Sequence, residues 1–310
     1  MQKTRLFFLT LSIAFSACVL SLLNGSQHLS WQALLDNQNG ILLDIRLPRT
    51  LTAFITGSLL ALAGALMQLL LRNPLADPYV LGISGGAALT TLAGLLLGWS
   101  EEWLLGSAWL GSIAVIGLIL LLARQHRWQS NTLLLIGVAL SCGFSALISF
   151  ILLISQPTYL HNMLFWLNGD LNDAAMPWLG GGILAGGLIT CYALAPGLTL
   201  FARGDMEARA LGLPTQHYRF ALFLLSSLLT ATAVTLAGSI GFVGLIVPQV
   251  VRRWLGFDQR LVLPVTALAG GCLLTLADTG ARTLLAPQQI PVGLVMTLLG
   301  IPVFVWLLQK

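Results

Sequence analysis

From Thr50 to Leu71 the chain runs 22 residues without a charge, and this stretch limits its fold more than any other feature. At about 1.5 Å of rise per residue, a helix of that length reaches roughly 33 Å, enough to cross the hydrocarbon core of a bilayer. The charged residues leave further charge-free stretches at 6–35, 78–100, 103–123, 128–169, 174–202, 220–251, 261–277 and 283–309. Only 8% of the 310 residues are charged and the mean hydropathy is +0.88. A soluble domain carries about 25% charged residues, so most of this surface must be solvated by lipid. Barrel strands would alternate apolar and polar residues over about ten positions. These runs do not alternate, and the expected fold is all-α and polytopic.

Most stretches hold one helix. Gly238-Ser239-Ile240-Gly241 should split 220–251 into two short helices, and Pro157 should set off a shorter piece from the span in 128–169. About ten transmembrane helices result, with eight or nine as the fallback, in one transmembrane domain over 1–310. The N-terminal Lys3 and Arg5 before an apolar run resemble a signal peptide. The run is longer than a usual h-region and no A-x-A site follows, so it reads as a retained first span.

Lys and Arg in the loops orient such a bundle. With both termini cytoplasmic, Lys3, Arg5, Arg72, Arg124, Arg127, Arg203, Arg209, Arg219, Arg252, Arg253, Arg260 and Lys310 fall inside. Only Arg46, Arg49 and Arg282 fall outside. Asp36, Asp44, Glu101, Glu102, Asp170 and Asp173 also fall outside. The net charge of +4 is spread over separate loops, which does not suggest a nucleic-acid partner.

The 32 glycines cluster inside the spans, where small residues let helix backbones approach. Cys18, Cys142, Cys191 and Cys272 sit singly in apolar runs with no metal-ligand spacing. Lys3 and Lys310 are the only lysines, so no P-loop can form; if the protein uses ATP, a partner binds it with its Mg, and this chain needs no cofactor. An ion-coupled secondary transporter would bury ionisable groups at mid-membrane, and only Asp278 approaches a span interior. Gly82-Ile83-Ser84-Gly85-Gly86 matches the G-x-S-x-G of serine hydrolases and the G-x-S-G of intramembrane proteases. A serine nucleophile needs a base, and His28, His126, His161 and His217 all fall in loops or at span ends. A glycine-rich helix opening is the simpler reading.

Several segments occur in an order that resembles one family. They are Ile45-Arg46-Leu47-Pro48-Arg49-Thr50-Leu51, Leu62-Ala63-Gly64-Ala65-Leu66-Met67-Gln68, Arg72-Asn73-Pro74-Leu75-Ala76-Asp77-Pro78 and Leu81-Gly82-Ile83-Ser84-Gly85-Gly86-Ala87. Later come Gly241-Phe242-Val243-Gly244-Leu245-Ile246-Val247-Pro248 with Arg252, Ala277-Asp278 with Ala281-Arg282, and Pro291-Val292-Gly293. The set is similar to the FecCD-like permeases of iron-siderophore, haem and cobalamin uptake, the type II ABC importers.

That resemblance implies a multi-pass protein of the bacterial inner membrane, surrounded by lipid. It would pair with itself or a homologous permease, with two ATP-binding subunits below and a periplasmic substrate-binding protein above. It would carry no catalytic site of its own. Ferric siderophore is the first expected cargo, then cobalamin, then haem. By the same resemblance, Arg46, Arg49 and Arg282 would dock carboxylates of the binding protein, as arginine forks do. A loop at about 203–218, short, mixed in charge and closed by Gly212-Leu213-Pro214, should form a surface helix or helix pair. It would couple to the ATPase through Asp205, Glu207, Ala208, Arg209 and Gly212. Asn73, Leu75, Ser130 and Asn131 would form a cytoplasmic gate. Ser141, Ser145 and Ser149 share one helical stripe that could line the pathway or pack helices.

Overall fold

The computed structural model describes residues 2–25, 40–124, 129–172 and 177–309. Its regular elements are all helical. His28, Asp36, His126, Arg127, Asp173 and Lys310 lie outside the described residues. In chain order the helices are α1 (Gln2–Leu23), α2 (Leu47–Leu71, entered through a π turn over Ile41–Arg46), α3 (Ile83–Leu96, entered through a 3-10 turn over Pro78–Leu81), α4 (Glu101–Arg124), α5 (Ser130–Ile154) and α6 (Pro157–Leu167). Then follow α7 (Pro177–Phe201), α8 (Asp205–Ala210), α9 (Thr215–Ala237), α10 (Val243–Leu255), α11 (Gln259–Thr283) and α12 (Val292–Leu308). Seven of these, α1, α2, α4, α5, α7, α9 and α11, are long and apolar enough to cross a membrane, while α3 and α12 are shorter and apolar.

The two expected interruptions occur. α9 stops at Ala237 and α10 starts at Val243, while α5 ends at Ile154 before α6 begins at Pro157. By contrast, the stretch 78–100 contains only the 14-residue α3. Its chain first passes Pro78, which packs against Gly244 beside the Leu60 carbonyl. Since Leu60 lies midway along α2, α3 begins partway up the bundle. Gly82 caps α3 at φ 75°, a left-handed conformation that glycine adopts without steric cost.

α2 is the central post, buried nearly throughout, and α9, α10, α11 and part of α7 pack around it. Glycines set the closeness of that packing. A Cβ at Gly64 would overlap the backbone of Gly244 on α10, and one at Gly57 would overlap the Gly270 carbonyl on α11. With lipid outside, no hydrophobic force holds helices together, so close van der Waals contact must. α1, α5 and much of α7 lie at the periphery: Phe15, Leu153 and Trp178 are exposed, as lipid-facing side chains should be.

Contacts sort the loops into two ends. Arg72, Asp205 and Arg219 meet at one end, where Arg253 also reaches the Leu307 carbonyl. Arg46, Arg49, Asn172 and Gln289 meet at the other.

Candidate functional site: an ion-pair hub at each end of the central helix

At the N-terminal end of α2, Asp278 of α11 is fully buried and accepts from two arginines. Arg49 Nη2 lies 2.9 Å from its Oδ1 and Arg282 Nε 3.0 Å from its Oδ2. A carboxylate in that position needs such partners, because leaving it unpaired out of water is very costly. Arg49 also donates from Nη1 to Asn172 Oδ1 at 2.5 Å and to Gln289 Oε1 at 2.9 Å. Arg282 Nη2 donates to Ser21 Oγ at 2.8 Å, and Ser21 shares a 2.9 Å contact with Thr50. Arg46 Nη1 donates to the carbonyls of Leu22 and Leu23, the last residues of α1, where a cation also suits the helix dipole. Five chain segments are tied together here.

The three arginines expected to project toward a partner are therefore buried and turned inward. Asp278, the one acid expected to approach a span interior, is the centre that holds two of them.

At the other end of α2, Arg72 leaves the helix at φ 51° and stacks over the Phe201 ring, 5.1 Å from its centroid. Its Nη2 lies 2.5 Å from Asp205 Oδ1. Asp205 opens α8, and its Oδ2 also pairs with Arg219 of α9 and, at 4.0 Å, with Arg209. One carboxylate thus binds α8 to both α2 and α9. Arg209 further donates to Thr215 Oγ1 at 3.1 Å. The turn after α8 closes through Gly212 at φ 80° and the bond from Leu213 N to Ala208 O.

The sequence anticipated the surface helix, but its residues divide differently. Asp205 and Ala208 face the chain itself. Glu207, Arg209 and Gly212 stay at the surface, together with Met206, 86% exposed, and Leu211.

A third arrangement joins α2 to α10. Pro248 has no N–H, which leaves the Gly244 carbonyl without its usual helical donor. Gln68 Nε2 reaches that carbonyl at 3.2 Å and the Leu245 carbonyl at 3.1 Å, while its Oε1 accepts from Arg252. Gln68 is buried, and nothing in the linear sequence links it to a proline 180 positions away.

The residues expected at the gate lie near this end. Asn73 Oδ1 accepts from Leu75 N, Gln249 Nε2 donates to the Pro74 carbonyl at 2.5 Å, and Ser130 Oγ donates to the Leu70 carbonyl at 3.0 Å. Leu75 and Asn131 are exposed. Above them, Ser145 and Ser149 face outward from α5, whereas Ser141 turns toward Gly82 at the start of α3. α5 buries little of its surface within the chain.

Nothing in these hubs aligns a nucleophile with a base. They brace long helices and hold one short exposed helix against them, which suits transmitted motion. The profile of the FecCD transport family matches residues 9–310. Vitamin B12 import system permease protein BtuC of Escherichia coli O139:H28 is 39% identical over 270 residues, 86% of this chain and 82% of that protein; the protein of strain SE11 matches to the same extent. A solved metal-chelate type ABC transporter in an inward-facing conformation superposes with a TM-score of 0.88 at 31% identity, covering 99% of both chains. PsaBC from Streptococcus pneumoniae, at 17% identity and a TM-score of 0.62 over 88% of this chain and 95% of its own, shares the fold. The chain is a multi-pass membrane permease subunit of the ABC-importer type and belongs to the FecCD transport family.

Proposed function

We propose that this chain forms the membrane path of an ATP-driven importer for a bulky metal chelate, with ATP hydrolysed by a separate subunit that grips α8. The observation that carries this reading is the Asp205 hub. α8 packs mainly on α7 and α9 and leaves Met206, with Leu211 just beyond it, exposed, yet one carboxylate fixes it to the end of α2 and to α9. A lever held this way delivers a push from below to α2 and α9 together.

In this reading α3, α10 and α12 complete ten spans with the seven longer helices, and both termini and α8 are cytoplasmic, as the loop arginines favour. The Asp278 end faces the periplasm and receives a binding protein. Arg46, Arg49 and Arg282 shape that face from within rather than projecting from it. The sparsely buried face of α5, with Ser145 and Ser149, meets a second permease across the pathway, and Asn73, Leu75, Ser130 and Asn131 narrow its inner exit. The inner membrane of a bacterium is the setting. Ferric siderophore is the cargo proposed first. Likeness to vitamin B12 permeases supports cobalamin as the second reading. A proton-coupled carrier fits less well, because Asp278 is committed to two guanidinium groups.

Capture of the candidate ATPase by the purified chain tests the lever. Wild type should hold the ATPase, and Met206→Glu should release it by placing a charge in an apolar contact. Capture that is indifferent to Met206→Glu would remove α8 from the interface.

A further inference from the structure

An open groove of about 720 Å³ lies on the Asp205 side of the bundle, between the last turns of α7 and the first turn of α11. Thr199, Arg203, Phe257, Asp258 and Arg260 line it, with Pro196 at its upper edge. Arg203 lies just beyond the end of α7 and Arg260 on the first turn of α11; both are exposed, and neither guanidinium has a hydrogen-bond or ion-pair partner among the described residues. The one acid lining the groove, Asp258, caps α11 by accepting from Arg260 N at 3.2 Å. Two guanidiniums against one carboxylate leave a net charge of +1, matching a single phosphodiester.

The surroundings say what carries that phosphodiester. Ile189, Tyr192 and Pro196 are exposed at spacings of three and four residues, so they form one apolar strip along α7 that runs into the groove. Phe257 in the groove wall and Trp254, three residues before it at the end of α10, are each 73% exposed, as aromatic rings are where a helix leaves the bilayer. An apolar track ending in paired arginines at the membrane boundary matches an acyl chain and its headgroup. Basic pockets between spanning helices favour anionic headgroups, and the arginine fork suits phosphate oxygens.

We propose that this groove binds the headgroup phosphate of an anionic phospholipid, with one acyl chain lying along Ile189, Tyr192 and Pro196. The lipid would seat the α7–α11 junction beside α8. This inference requires only that the chain spans a membrane and does not depend on the cargo or the ATPase.

The test is native mass spectrometry of the full chain taken from nanodiscs of phosphatidylcholine mixed with phosphatidylglycerol. Wild type should retain phosphatidylglycerol in preference to phosphatidylcholine. The double variant Arg203→Gln/Arg260→Gln should lose that retention by about tenfold or more, and Tyr192→Asp should reduce it with both arginines in place. Each altered side chain is exposed; should the double variant misfold, the single variants are read the same way. Excess inorganic phosphate should not displace the lipid. Equal retention by wild type and the arginine variants overturns the proposal. Displacement by inorganic phosphate assigns the groove to a soluble anion instead. Loss of ATPase capture with unchanged lipid retention makes it a protein interface, which also overturns it.

Discussion

Gln68 on α2 supplies, from its side chain, the hydrogen bond to the Gly244 carbonyl that Pro248 cannot give from its backbone. The half-length α10 is thereby fixed to the central helix at the point where its own ladder is broken. Arg252 closes the arrangement by donating to the same amide. Gln68→Leu should leave a buried carbonyl unsatisfied at a cost of about 1–3 kcal/mol. A lowered thermal midpoint in detergent measures it, and an unchanged midpoint would show that α10 is held by other contacts.

Asp278 neutralises two buried arginines, so its removal should be worse than removing the whole cluster. Asp278→Ala leaves Arg49 and Arg282 uncompensated and should cost about 3–5 kcal/mol. Adding Arg49→Met and Arg282→Met should recover much of that loss. Thermal unfolding of the single and triple variants decides it; a triple variant weaker than the single would contradict the account.

Asp205 should govern coupling. Asp205→Asn keeps hydrogen-bonding capacity but loses the charge that Arg72, Arg209 and Arg219 share. Cargo moved per ATP hydrolysed should fall by about two- to fivefold, since partly exposed ion pairs of this kind contribute about 0.2–1 kcal/mol each. Asp205→Glu should restore part of the ratio. A ratio unchanged in both variants would mean that α8 moves without engaging α2.

Close helix approach should tolerate no side chain at Gly64. Gly64→Val puts a branched Cβ into the backbone of Gly244 and should destabilise by about 1–3 kcal/mol. Gly182→Ala, on α7 with open space beyond its Cα, should be neutral. Comparing the two by thermal unfolding separates packing from a general intolerance of glycine replacement.

Much of this architecture was legible in the sequence because lipid imposes simple rules. Charge-free stretches marked the seven long apolar helices, and Gly238 to Gly241 and Pro157 marked the breaks. The family resemblance rested on ordered segments from Ile45 to Gly293. Pairings across the fold were not legible. Arg49 and Asp278 are 229 positions apart, and nothing in the linear sequence pairs them. Likewise Asp205 appeared as one acid in a mixed loop, because its partners Arg72 and Arg219 belong to other helices. The depth at which α3 begins was hidden too, since Pro78 to Leu81 are as apolar as the helix they precede.

The central claim is best tested by uptake into proteoliposomes holding this chain, its candidate ATPase and a binding protein, with ferric siderophore and cobalamin compared. The account predicts accumulation of one of these chelates that requires ATP, the ATPase and the binding protein, and that fails when Met206→Glu releases the ATPase. Chelate movement that proceeds without any ATPase would contradict it and leave an ion-coupled carrier as the better description.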